Sequence, residues 1–316
     1  MTAYVLRRLL QLVPVLFGIS LVVFLIMALL PGDPALAILG PYATPESLAS
    51  LRAELGLDQP LWRRFLIWLG NLLQGDLGRS LALHRPVADE ISERLGPTLL
   101  LAASALALAL LLGLAAGVVA AAHRRRWQDR LLTSAVLLGI STPQFWLALL
   151  LILVFAVWLG WAPVSGMFAV YGGGGPLDLL RHLVLPATSL AVVVTGVLAR
   201  FARTLMLDEL SQNYVQMARA RGLSERRVVY RHAFRNMLGR IMPVIGLQTG
   251  FLLGGAVYIE TVFQWPGMGR MLVDAIATRD LPLVQGGVLV MALAYVLVNL
   301  LADVLQHLLD PRTRVR

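Results

Sequence analysis

The stretch LDELSQNYVQMARARGLSERRVVYRHAFRNMLGR, residues 207–240, decides how this chain is read. It carries seven arginines (Arg219, Arg221, Arg226, Arg227, Arg231, Arg235 and Arg240), and apolar sequence lies on both sides of it. An arginine at the centre of a bilayer costs about 2.5–3.5 kcal/mol even on the insertion scale, so a run this cationic belongs in water beside a membrane. Arginine excess marks the cytoplasmic side. The segment from Asp208 to Arg221 is expected to form a helix, with Asp208 and Glu209 in its first turn and Arg219 and Arg221 in its last, as the macrodipole favours. Tyr214, Met217, Ala218 and Arg221 share one stripe by 3/4 spacing. Gly222 supplies the left-handed residue that ends a helix. Ser224 is expected to cap a second helix, with Glu225 at its positive end and Val228, Val229, Met237 and Leu238 as apolar positions. The product is a helix–glycine–helix elbow whose small residues (Ala218, Ala220, Gly222) admit another protein's surface. On these residues alone, a basic amphipathic hairpin lying on anionic lipid is the alternative.

Working outward, the rest of the chain is membrane-like. Its 316 residues are 58% hydrophobic and 14% charged, and the mean hydropathy is +0.75. Six segments are apolar enough to cross about 30 Å of hydrocarbon: Leu9–Leu30, Leu99–Ala122, Leu131–Gly160, Leu183–Ala199, Ile241–Ile259 and Leu281–Ala302. The third is long enough to tilt or to begin as a surface turn before Pro143, and the fourth is short. None holds Asp, Glu or Arg. The first follows Arg7–Arg8 and lacks a small-residue cleavage pattern, so it is expected to be an uncleaved anchor. Six spans put both termini on one face. With the elbow cytoplasmic, that face carries a net charge of +12 and the opposite face −3. The basic balance is therefore a topology signal, not a nucleic-acid footprint.

Two absences limit the chemistry. No cysteine is present, so disulfides and thiolate metal sites are excluded. No lysine is present either, which excludes both a phosphate-binding P-loop and a Schiff-base amine. If ATP drives this protein, another polypeptide must bind it. The histidines at 84, 123, 182 and 232 share no ligand spacing.

Ala218-Arg-Ala-Arg-Gly222-Leu-Ser-Glu-Arg-Arg227, followed by Arg231-His-Ala-Phe-Arg-Asn236, resembles the cytoplasmic loop of permeases of ATP-binding cassette importers, in the dipeptide/oligopeptide/nickel branch and of its first-permease type. The broader importer pattern, Glu-Ala-Ala-x3-Gly, is met here by Gln216 and Met217 in place of its Glu and first Ala, with Ala218 and Gly222 retained. Further motifs resemble the same branch in order: Arg7-Arg-Leu-Leu10 leading to Leu30-Pro-Gly-Asp-Pro34, Leu51–Pro60, Gly75-Asp-Leu-Gly-Arg-Ser80, Ser141-Thr-Pro-Gln-Phe-Trp146, Glu260–Arg270 and Asp310-Pro-Arg312. The resemblance implies an all-α, six-span type I importer permease in the bacterial inner membrane, with both termini cytoplasmic. It implies no catalysis and no cofactor in this chain, since ATP and Mg are bound by partner subunits. It also implies four kinds of partner: a second homologous permease subunit, two ATPase subunits, an extracytoplasmic substrate-binding protein and membrane lipid. Ala218, Arg219, Ala220, Arg221, Gly222, Leu223, Ser224, Glu225, Arg226 and Arg227 are the implied coupling helix that docks on an ATPase. The implied cargo is a dipeptide or oligopeptide; nickel, a metal chelate or an opine is the alternative.

On this reading, residues 1–30 are the N-terminus and first span, 31–96 an extracytoplasmic region, and 97–316 the core permease with its coupling loop at 200–240. Thr44, Pro45 and Glu46 signal a helix start, with Ser47–Leu55 helical. Leu61–Leu73 puts Trp62, Phe65, Trp68, Leu69 and Leu72 on one stripe. This region either receives a substrate-binding protein or is an interfacial anchor bracing the spans. Gly172–Gly175 is expected to be a flexible external loop. Ser141, Thr142 and Gln144 around Pro143, with Thr188, Ser189 and Thr195, are either path-lining residues or ordinary hydroxyl glue between helices. Gly246, Gly250, Gly254 and Gly255 are expected to pack on a neighbouring subunit. Asn299, Asp303 and Gln306, beside His307, form either a hydrogen-bond set near the water boundary or a proton relay. An ion-coupled secondary transporter needs a midplane acid or broken helix with inverted repeats. An intramembrane enzyme needs a catalytic cluster. The sequence offers neither.

Overall fold

Hydrophobic runs this long satisfy their backbone polar groups only as helices, and the computed structural model is built of them. It describes residues 2–29, 34–40, 43–54 and 56–309, with the side chains of 2–9, 12, 34, 37, 38, 54, 303 and 305–309 excepted. The helices run α1 (Thr2–Leu29), α2 (Pro34–Leu39), α3 (Pro45–Glu54), α4 (Leu61–Leu73), α5 (Val87–Ala122), α6 (Trp127–Ser141), α7 (Gln144–Leu151), α8 (Pro176–Leu210), α9 (Asn213–Ala220), α10 (Glu225–Arg227), α11 (Phe234–Val262), α12 (Met268–Ala277) and α13 (Leu281–Leu309). π-helical turns follow α7 (Ile152–Trp158) and α10 (Val228–Ala233). Among the described residues the only β pairing is an isolated bridge between Arg79 and Pro86.

Among the described residues four helices are long and apolar enough to cross a membrane: Val87–Ala122, Pro176–Leu210, Glu225–Val262 and Leu281–Ala302. A fifth crossing exists if α6 and α7 count as one span, although they meet at 104°. The break has a local cause. Pro143 has no N–H to donate, and it forces Thr142 out of the helical region, to φ −84° and ψ 124°. The third expected span, Leu131–Gly160, is therefore broken at Pro143. Of the first expected span, the apolar part with described side chains is the shorter Val13–Leu29. Leu30–Asp33, Leu55 and Asp310–Arg312 lie outside the described residues, as do the side chains of Asp303, Gln306 and His307.

The chain divides into two compact units. The first comprises residues 1–97 and 266–296. Here Met27, Val87, Ile91, Met268, Met271, Leu283 and Val284 form an apolar core. α4 crosses α1 through aromatic contacts: Phe65 lies 5.3 Å from Phe24 and 6.0 Å from Phe17, ring centre to ring centre. Phe65 is buried, whereas Trp62 on the same helix is exposed, so the expected stripe divides between bracing α1 and facing outward. Thr44 caps α3 as expected, its hydroxyl oxygen accepting from Ser47 N–H at 3.2 Å.

One polar lock closes this unit. Asp280 is wholly buried at the head of α13. It accepts from the N–H of Leu283 (3.2 Å), the N–H of Ala82 (3.1 Å) and the hydroxyl of Ser80. It thereby caps its own helix and ties down the loop carrying Gly75–Ser80. Arg85 pairs with Glu90 at 2.6 Å and Glu93 at 2.8 Å beside it.

The second unit comprises residues 98–265 and 297–316 and is centred on α8. About two-thirds of that helix's apolar stretch is buried within the protein, the largest share among the long apolar helices described. Between helices in lipid the hydrophobic effect supplies no attraction, so close packing must. Gly113 and Gly117 of α5 provide it: a Cβ on either would sit 2.9 Å from the Thr195 carbonyl oxygen and 2.6 Å from that of Ala199. The glycines of α11 pack partly inside the chain instead of forming one intersubunit face. Gly246 faces Ala302 and Gly255 faces Gln144, whereas Gly254 opens on empty space. Gly172–Gly175 is not loose either. The Asp178 carboxylate accepts from the N–H groups of Ala169 (2.9 Å) and Gly174 (3.2 Å), and a Cβ on Gly173 would meet the Ala169 carbonyl oxygen at 2.4 Å.

Candidate functional site

The elbow is built from a small apolar knot outward. Val215 and Ala218 of α9 and Val228 beyond α10 are buried together, with Leu210 and Leu223 packed on them. α9 ends through a paired set of bonds: Gly222 N–H to Arg219 O (2.9 Å) and Leu223 N–H to Ala218 O (3.3 Å). That is a Schellman closure, and it requires the left-handed Gly222, whose φ is +79°. Ser224 stands at the cap position of α10 without making a side-chain capping bond. Glu225 turns back to Arg219, accepting from Nε at 2.7 Å and Nη2 at 3.1 Å. The pair is exposed on both sides, so it fixes geometry more than it adds stability.

Three expectations change here. Asp208 and Glu209 do not open the elbow helix; they close α8, which runs to Leu210 before a break at Ser211–Gln212. Glu209 is buried and forms a junction, accepting from the Tyr214 hydroxyl at 2.6 Å and from Arg240 Nη1 at 3.0 Å. Burial, then the hydrogen bond given to Glu209, raises the Tyr214 hydroxyl pKa, while its bond with Asn236 opposes the shift. The expected stripe also divides: Ala218 points into the knot, whereas Tyr214, Met217 and Arg221 are exposed. The small residues left on the open side are Ala220 and Gly222, among exposed Arg219, Arg221, Arg226 and Arg227.

The second arm continues directly into a long helix. From Glu225 to Val262 the chain is one helical run, interrupted by no turn or coil. Its π-helical turn brings Val228 and Ala233, five residues apart, onto the buried face together with Val229. Val229, Ala233, Met237 and Ile241 then pack on Val118 and Ala121 of α5 and on Ala202 and Met206 of α8. The elbow's second arm is thus packed against two other long helices through buried contacts.

The candidate path residues divide. Ser189 is wholly buried, its hydroxyl donating to Leu185 O at 2.8 Å. Thr188 and Thr142 donate to Val184 O (2.6 Å) and Leu138 O (2.7 Å) of their own helices. Gln144 joins α7 to α8, its Nε2 donating to Leu190 O at 3.3 Å, and Gly255 makes room for it. Ser141 is exposed beside the bend, and Thr195 is half-buried where α5 meets α8.

Two buried carboxylates escaped the sequence reading. Asp129 binds Arg203 in a fork (Nε to Oδ1 2.7 Å, Nη2 to Oδ2 2.9 Å) and also accepts from Arg125 N–H at 2.9 Å. Glu260, wholly buried near the far end of α11, accepts from Thr98 Oγ1 at 2.6 Å. The partner of Asp129 lies 74 residues away, beyond the reach of a local sequence pattern. Glu260 fell one residue beyond the expected span.

Comparison with known proteins agrees with this geometry. Residues 113–315 match the family of binding-protein-dependent transport system inner membrane components, and residues 1–102 match the model of that system's N-terminal membrane component. The glutathione transport system permease protein GsiC of Escherichia coli strain K12 is 45% identical over the full length of both chains. The Shigella boydii protein of the same name is 44% identical over the same extent. Among solved structures, inward facing conformations of the MetNI methionine ABC transporter align with a TM-score of 0.57 at 16% identity, covering 70% of this chain and 96% of that one. That likeness shows the fold, a type I ABC importer permease. Such permeases work with ATPase and substrate-binding partners. The chain belongs to the binding-protein-dependent inner membrane components and is a multi-pass inner-membrane ABC importer permease of the peptide/nickel branch.

Proposed function

We propose that this chain is one of two homologous permease subunits of an importer for short peptides. It forms half of the translocation path, and its elbow from Ala218 to Arg227 docks on one of two ATPase subunits. The observation that carries the reading is the union of an exposed arginine face with a helix that runs unbroken from Glu225 to Val262. Arginine forks suit carbonyl- or carboxylate-lined grooves, and the continuous arm makes closure of the ATPase pair a movement of the span. Ala218 contributes by shaping the knot beneath the contact and Gly222 by closing α9 at φ +79°, while Ala220 lets the partner approach. Residues 31–96 are the surface for a substrate-binding protein, and the core permease starts at residue 97. Of the path candidates, Ser141, Thr142, Gln144, Thr188 and Thr195 keep some exposure, whereas Ser189 is buried. A short peptide as cargo is supported by the 45%-identical relatives named for glutathione, itself a small peptide.

The test is reconstitution of the complete importer with its ATPase and binding-protein partners. Uptake of a dipeptide or of glutathione that requires ATP, and that is lost in Arg226→Glu/Arg227→Glu together with ATPase co-purification, is the expected result. Saturable uptake of nickel or of a chelate with none of peptide would replace the cargo assignment. Accumulation without nucleotide would end the whole reading.

A further inference from the structure

α5, α6 and α8 line a half-open pocket of about 300 Å3 that none of residues 218–227 lines. Small residues, Gly117 and Ala120 among them, form one wall, and Thr133, Arg200, Arg203 and Thr204 contribute polar groups. The charges do not cancel. Asp129, the nearby carboxylate, is committed to Arg203 Nε and Nη2, to Arg125 N–H and to the Thr133 hydroxyl at 3.4 Å. Arg200 has no acidic partner among the ion pairs of the described residues. The Thr204 hydroxyl donates to the Arg200 carbonyl oxygen at 3.1 Å, so it offers an incoming group only its acceptor side. What remains to receive a ligand is the whole Arg200 guanidinium and Nη1 of Arg203. These donors line a half-open pocket in which Arg200 is exposed and Arg203 half-buried.

We propose that this cavity is an oxyanion site, taking a phosphate or carboxylate group between Arg200 and Arg203. Guanidinium forks match both groups in two-point geometry, and the volume suits a single headgroup or peptide terminus. Two sources supply this chemistry: the phosphate of an anionic lipid, or the terminal carboxylate of a departing peptide. The second source rests on the peptide reading above; the first does not.

The assembled importer, purified in neutral detergent, tests the site with two probes. In native mass spectrometry it should retain dioleoylphosphatidylglycerol over dioleoylphosphatidylcholine, and Arg200→Gln should lower that retention about fivefold. Ala116→Leu fills the cavity with the charge in place and should have the same effect. If dialanine shifts the melting temperature where its C-terminal amide, which lacks the carboxylate, does not, and Arg200→Gln removes that difference, the carboxylate source is supported. The site is refuted if neither probe distinguishes wild type from Arg200→Gln in complexes of unchanged elution. It is equally refuted if Arg200→Gln acts and Ala116→Leu does not, because surface charge alone would then suffice. Absence of peptide uptake by the intact importer would refute the cargo assignment and leave the lipid arm standing.

Discussion

Replacing Gly222 isolates the backbone of the elbow from its contact surface. The residue sits at φ +79° with nothing within 4 Å of a Cβ placed on it, so added bulk meets open space and only the left-handed conformation is penalised. That penalty is about 1–2 kcal/mol for alanine and smaller for asparagine, whose side chain tolerates this region. The Schellman bonds of Gly222 and Leu223 and the packing of Leu223 on Val215, Ala218 and Val228 all depend on the turn. Gly222→Ala should therefore depopulate the docked elbow, weakening affinity for the ATPase subunit by about 5- to 30-fold. Gly222→Asn should recover most of it. The assay is titration of the purified ATPase subunit onto the permease in nanodiscs, with cargo-stimulated ATP hydrolysis as second readout. Equal affinity for wild type, alanine and asparagine forms would refute the conformational argument. Equal loss in both variants would also refute it, since close contact rather than φ would then be the requirement.

Further outcomes follow from the second unit and from the composition. Asp129→Asn leaves Arg203 partly buried without its counter-charge and should cost about 3 kcal/mol, seen as lower resistance to thermal inactivation, while Asp129→Leu/Arg203→Met recovers most of the loss. Gly117→Ala places a Cβ 2.6 Å from the Ala199 carbonyl oxygen and should destabilise by about 1–3 kcal/mol in a detergent melt. Gly254→Ala, in open space, should be neutral under the same conditions. The chain has no cysteine, so single cysteines need no background removed. A membrane-impermeant maleimide should label Leu83→Cys from outside intact cells and reach Arg226→Cys only after permeabilisation.

Much of the architecture was legible because it rests on local rules. Gly222 was identifiable as the terminator, since few other residues enter the left-handed region without strain. Thr44 announced α3, and the arginine asymmetry separated the elbow from the spans it joins. What stayed hidden depends on partners far along the chain. An acid pair at Asp208–Glu209 suits the head of one helix or the tail of another, and only Arg240, 31 residues away from Glu209, decides between them. The π-helical turn left a faint trace in the inward residues Val228 and Ala233, which a 3.6-residue period does not align. Gly113 and Gly117 stand in a run of alanines and leucines that reads as uniform grease, and their role is visible only against the carbonyls of α8. Gly173 was taken for slack because a tight approach and a loose tether use the same residue.

The unbroken helical run from Glu225 to Val262 has a mechanical corollary. At about 1.5 Å per residue it is a beam of roughly 57 Å, nearly twice the thickness of the hydrocarbon slab it crosses. A beam of that length turns a tilt of about 5° into about 5 Å of sideways travel at its far tip, where Glu260 meets Thr98. Under the docking proposed above, a small rotation imposed at the elbow would shift the Glu260–Thr98 contact, and Pro243, which donates no N–H, is a point in α11 where the beam can yield.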